Sequence, residues 1–127
     1  MSVLFRRAWV FRAEHRDFVL GDVLVSAGRI KAVSHEADLD VSGIPHETID
    51  AEGYYLIPGL VDVHTHGRAG GDFSTADADL MRLMSMSYLA SGVTTLLPTL
   101  ASAPLEVLHE AAERVETVRR ETQGDTA

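Results

Sequence analysis

Cysteine is absent from the 127 residues, which excludes a disulfide framework and any thiolate metal site. A metal ion would have to be held by His, Asp, Glu or a modified Lys. An excess of basic side chains is also lacking: 11 Lys and Arg face 19 Asp and Glu, for a formal charge of −8 and a pI near 5.1. Phosphate-binding surfaces need surplus cations, so neither nucleic acid nor an anionic membrane is expected as a partner. No apolar run reaches the roughly 18 residues of a membrane span. The early arginines precede no uninterrupted apolar stretch, because Arg12, Glu14, His15, Arg16 and Asp17 break it up, so no signal peptide is expected. Internal repeats and low-complexity tracts are missing as well. A cytoplasmic protein is the expectation.

What is present has the balance of a globular chain, 46% apolar and 24% charged. Its texture changes once, near residue 56. Before that point short apolar runs alternate with turn residues, in "VLFRRAWVF", "DFVLGDVLVSAG", "RIKAVSHE" and "HETIDAEG", which predicts strands of a small β-rich unit. Ala27-Gly28 suits a tight hairpin, since glycine tolerates positive φ.

After it the rhythm is strand, helix, strand, helix. "GLVDVHTH" reads as a buried strand. "STADADLMRLMSMSYLASG" predicts a helix capped by Ser74 or Thr75 and stopped by Gly92, with Met81, Met84 and Met86 as packing residues. "VTTLLPT" is a second strand that Pro98 terminates. "SAPLEVLHEAAERVETVRR" is a second helix, capped by Ser102, with Leu105, Leu108, Ala112 and Val115 on one face and Glu110–Arg114 and Glu116–Arg120 as i,i+4 pairs. The tail "ETQGDTA" is expected to be disordered. A βαβα order predicts a parallel sheet. Two parallel strands do not finish such a sheet, and a closed eightfold barrel takes about 250 residues, so the chain is either a small αβ module of unusual design or, the favoured expectation, the N-terminal piece of a larger protein.

The candidate chemistry lies in "LIPGLVDVHTHG", Leu56 to Gly67. Residues i and i+2 of a strand project from one face, which puts Asp62, His64 and His66 together and turns Val61, Val63 and Thr65 away. Two imidazoles so placed can grip one cation, and Asp62 could orient a ring from behind. The spacing alone leaves a second reading open, in which the pair simply ends a strand at the surface. "RAGGDF", Arg68 to Phe73, is a glycine loop beside the strand end; Asp72 could approach a metal, though loop geometry is the plainer role. His15, His35, His46 and His109 lack partners at ligand spacing and read as surface or turn residues. Trp9 reads as a core or interface anchor.

"IPGLVDVHTHG" as a whole resembles the first barrel strand of the amidohydrolase superfamily, and "SGVTTLLPTL" resembles its second. Upstream, the β-rich unit ending in "IDAEGYYLIPG" is similar to the small β-sandwich that often precedes the barrel. Within the superfamily, "HTHGRAGGDFSTAD" and "GVTTLLPTLASAP" resemble the N-acetylglucosamine-6-phosphate deacetylase family. The resemblance implies an α/β fold, the N-terminal part of a TIM-type barrel (its first two βα units, residues 57–127) behind a small β-sandwich-like unit (residues 1–56). It implies His64 and His66 as metal ligands, a divalent cofactor with zinc the expected ion, one or two per intact enzyme, and a small-molecule amino-sugar phosphate as substrate. It also implies that the other ligands and a proton-shuttling aspartate lie beyond residue 127, so no catalytic residue is expected here and the chain alone should be inactive. The intact protein is expected to be a homo-oligomer, a dimer. A cyclic amidase, dipeptidase or deaminase of the same superfamily, or a non-catalytic interaction module, are the alternatives.

Overall fold

The computed structural model describes residues 1–36 and 38–122. They divide into two compact units, one from Met1 to Pro58 and one beginning at Gly59, each with its own apolar core.

The first unit is built on one long strand. β1 (Ser2–Arg12) pairs antiparallel with β2 (Asp17–Ser26), which pairs antiparallel with β3 (Arg29–Val33). The β2–β3 turn is the two-residue hairpin expected at Ala27-Gly28, with φ of 50° and 70°, the double positive φ that matches strand twist. On its other edge β1 takes up β4 (Glu47–Asp50) and then β5 (Tyr55–Leu56), both in parallel. Eleven residues give β1 an edge long enough for both. β4 and β5 therefore complete the hydrogen bonding of β1 instead of starting a second layer, and the described residues of this unit form a single five-stranded sheet, where the sequence led us to expect a sandwich-like arrangement.

Ala8, Val10, Val23 and Ala51 form the core on one face, joined by Phe5, Val25 and Leu56. A register shift between Phe5 and Ala8 sets Arg6 and Arg7 against Asp22. Asp22 is 2% exposed and accepts from the Arg6 guanidinium at 2.9 Å, the Arg7 N–H at 3.0 Å and the Leu39 N–H at 2.9 Å. A buried carboxylate needs such a set of donors, and here it ties the bulge to the loop after β3. Trp9 is not a core anchor. It is 40% exposed, because strand alternation puts it on the face opposite Ala8 and Val10.

In the second unit β6 (Leu60–Thr65) pairs in parallel with β7 (Val93–Pro98). α1 (Ala78–Leu89) connects them and α2 (Leu105–Thr122) follows. The N-cap of α1 is Asp77, whose carboxylate accepts from the Leu80 N–H at 2.9 Å. Ser74, expected as a cap, instead accepts from the Ala101 N–H through its hydroxyl, at 3.1 Å. Phe73, Ala76, Met81, Met84, Tyr88, Val93 and Val118 make the core. Met86 stays out of it at 59% exposed, since a 100° helical step turns it away from Met81, Met84 and Tyr88.

α2 begins at Leu105, after Pro104, so Ser102 lies outside its first turn. Its buried residues are Ala111 and Val118, with Val115 against the same core. Leu105, expected on that face, is 75% exposed. The residues 121–127 expected to be disordered fall mostly outside the described ones; Glu121 and Thr122 end α2, and Glu121 pairs with Arg82.

Candidate metal centre

β6 delivers the two histidines. Strand alternation assigns Val61, Val63 and Thr65 to one face, although the pairing with β7 is irregular between Asp62 and Thr65; Thr65 is buried at 9% exposed, whereas Val61 and Val63 are exposed. Asp62 and His64 alternate with them along the strand, and His66 follows one residue past the strand end. His64 and His66 are both exposed. Their ring centroids are 5.4 Å apart with planes at 75°. Two imidazoles sharing a tetrahedral ion at Zn–N distances near 2.0–2.1 Å would hold their centroids about 5.2 Å apart, so the observed separation fits two donors to one cation.

Neighbouring groups fix the backbone of the pair. The Asp62 carboxylate accepts from the His64 N–H at 3.1 Å. Thr65 O accepts from the Thr99 N–H at 2.7 Å and His66 O from the Phe73 N–H at 2.8 Å, which anchors the strand end to the segment after β7 and to the glycine loop. In that loop Gly67 has φ +147°, and a Cβ there would lie 2.2 Å from Gly71 O. Only glycine lets the chain turn back so tightly beside His66.

Asp72 does not reach the histidines as a donor. Its side chain accepts from the Ser74 N–H at 2.7 Å and its carbonyl from the Ala76 N–H at 2.8 Å, the work of a turn. Among the described residues no group of three or more His, Asp or Glu is placed to hold a metal ion, so no third such side chain joins His64 and His66. His46 bonds the Ile44 carbonyl at 2.6 Å and His109 faces Glu113 at 3.6 Å, both local contacts. The sequence reading gave no role to Thr65, Arg68 or Tyr88. The Thr65 and Tyr88 hydroxyls hydrogen-bond and Arg68 lies over the Tyr88 ring. The only signal in the sequence was the opposite phase of Thr65.

The chain is 37% identical over 75 residues to the N-acetylglucosamine-6-phosphate deacetylase of Bos taurus, across 57% of this chain and 18% of that protein. It is 32% identical over 75 residues to the N-acetylgalactosamine-6-phosphate deacetylase of Escherichia coli O157:H7, across 59% of this chain and 20% of that one. The crystal structure of N-acetyl-D-glucosamine-6-phosphate deacetylase from Mycobacterium smegmatis superposes with a TM-score of 0.74 at 25% identity, over 98% of this chain and 33% of that one. This chain resembles the N-terminal portion of N-acetylglucosamine-6-phosphate deacetylases. Its match thus spans about a fifth of the curated relatives and a third of the solved deacetylase chain. No protein-family model matches it. Its mixed α/β fold resembles the N-terminal domain of these deacetylases, and no helix among the described residues is long and apolar enough to cross a membrane.

Proposed function

We propose that this chain is the N-terminal part of a metal-dependent amidohydrolase that deacetylates N-acetylglucosamine 6-phosphate, giving acetate and glucosamine 6-phosphate. The observation that carries the reading is the pair of neighbouring imidazoles, ring centroids 5.4 Å apart, at the C-terminal end of β6, in a chain similar to deacetylases of phosphorylated N-acetyl amino sugars. His64 and His66 would hold a divalent ion, and zinc suits a nitrogen donor set without thiolates. When bound, such an ion supplies a nucleophile from water at neutral pH and polarises the amide carbonyl.

The residues of this chain position the donors: Asp62 through the His64 N–H, and the Gly67–Phe73 loop through the His66 carbonyl. Hydrolysis breaks the C–N bond of the acetamide and needs a proton on the departing amine, a task for a carboxylate that this reading assigns to later barrel strands, together with the remaining ligands. Residues 57–127 are read as the first two βα units of an eightfold barrel, and residues 1–56 as the start of a sandwich completed elsewhere in a cytoplasmic, dimeric enzyme.

The test is acetate release from N-acetylglucosamine 6-phosphate and from its galactosamine epimer. The intact protein should turn over at least one of them and lose that activity to a chelator, while the 127-residue chain should not. Turnover by the chain alone at an ordinary enzyme rate, about 1–10³ per second, would overturn the assignment of the proton shuttle to later strands. An intact protein inert on both sugars would overturn the substrate.

A further inference from the structure

The strand end that carries both histidines is gripped from its opposite face by one pair of hydroxyls. Thr65 sits between His64 and His66 and, unlike those exposed side chains, is buried at 9% exposed; Tyr88 on α1 is 6% exposed. Their hydroxyls hydrogen-bond to each other. The Tyr88 ring is held in turn by Arg68, whose guanidinium carbon lies 4.8 Å from the ring centroid and whose Nη1 donates to the Ser91 hydroxyl at 3.1 Å. Arg68 belongs to the same loop that begins at Gly67, immediately after His66. The contact is thus a closed circuit: histidine pair, Thr65, Tyr88, Arg68 and back to the histidine pair.

Packing alone does not call for this arrangement. Tyr88 joins a core of Phe73, Met81, Met84, Val93 and Val118, where a valine and a phenylalanine would fill the volumes of Thr65 and Tyr88 without desolvating two oxygens. Replacing both partners of a buried hydrogen bond by apolar groups of like shape is nearly neutral for stability. What the hydroxyl pair adds is direction. It fixes the Thr65 rotamer and with it the rotation of the strand end about its axis, and that rotation aims His64 and His66 on the other face. A cation shared by two imidazoles is sensitive to this angle, because both ring nitrogens must point at one site.

We propose that Tyr88 is a positioning residue for the metal-binding histidines, acting through Thr65, with Arg68 holding the phenol ring in place. The proposal rests on the reading of His64 and His66 as ligands to one ion. Its test uses the untagged 127-residue chain and Cu²⁺ alone as the probe, with affinity measured by titration and the number of coordinated imidazole nitrogens by electron spin-echo spectroscopy. The unsubstituted chain should show two imidazoles on one copper ion. Tyr88→Phe and Thr65→Val should each weaken copper binding by about tenfold, the lower end of what an outer-sphere partner contributes, and shift the signal toward one imidazole. The double variant should lose no more than either single one, because both remove the same bond. Thr65→Ser, which keeps the hydroxyl, should restore the two-imidazole signal.

Arg68→Ala changes a side chain outside the core and should give a smaller loss of the same kind; it decides the matter if circular dichroism shows the buried variants unfolded. A purely structural role would lower the unfolding midpoint and leave the nitrogen count unchanged, and that result in Tyr88→Phe and Arg68→Ala would overturn the proposal. Copper held by a single imidazole in the unsubstituted chain would refute the ligand pair itself, and this inference with it, before any substitution is made.

Discussion

At the scale of the residue, the site depends on positions that carry no chemistry of their own. Gly67 has a φ of +147° and no room for a Cβ against Gly71 O, so Gly67→Ala should strain the loop by about 1–3 kcal/mol and displace the Phe73 N–H from the His66 carbonyl. The expected outcome is a lower urea midpoint together with weaker metal binding; an unchanged midpoint would show that the loop rearranges freely. The side-by-side placement of His64 and His66 was legible in the sequence because the two-residue strand period needs no tertiary information. The sequence could not show the Thr65–Tyr88 contact, which joins residues 23 apart. The turn role of Asp72 was the plainer reading of its glycine loop, and its bond from the Ser74 N–H bears it out.

At the scale of the element, the types and order of the strands and helices followed from apolar periodicity, and the errors lay at ends and faces. Asp77 caps α1 where Ser74 or Thr75 was expected, because all three are capping residues within four positions and only the Ser74 contact with Ala101 removes Ser74 from the choice. In α2 the expected apolar face began one turn early. Leu105 is exposed and the buried residues are Ala111 and Val118, and which of several apolar rows meets the core depends on where α1 and β7 lie. β5, two residues long, is too short for any periodicity to register.

The Glu116–Arg120 pair on α2 was legible and the Glu116–Arg119 pair was not among those expected; together they support a pH prediction. Glu116 accepts from Arg119 at 2.7 and 2.9 Å and from Arg120 at 2.7 Å, and these bonds lower its pKa from 4.5 to about 2. Because the folded value is depressed, its contribution to stability is present above about pH 4.5 and is lost as the pH falls through about 2. Carboxyl-carbon chemical shifts should place its midpoint near the lower value at low salt and move it upward as salt screens the pair. A midpoint near 4.5 at low salt would contradict the pairing.

At the scale of the whole molecule, the second unit leaves apolar surface uncovered. Val61 and Val63 on β6 are 60% and 65% exposed, and Leu97 on β7 is 49% exposed, on two strands that pair only with each other among the described residues. Open edges and apolar faces of this kind promote association, so the 127-residue chain should sediment as concentration-dependent oligomers. A monomer with a sharp, concentration-independent unfolding transition would contradict that expectation. The parallel βα rhythm was readable in the sequence, whereas the single sheet of the first unit was not, since the parallel addition of β4 and β5 to β1 spans more than 40 residues.

The central claim is that His64 and His66 bind metal in an amidohydrolase, and it is tested most directly by the metal content of His64→Ala and His66→Ala in the intact protein. Each substitution should lower the content by up to one ion per subunit, with circular dichroism unchanged, because both side chains are exposed and hold no core contact. If both variants keep the metal stoichiometry and activity of the unsubstituted protein, the two histidines merely end a strand.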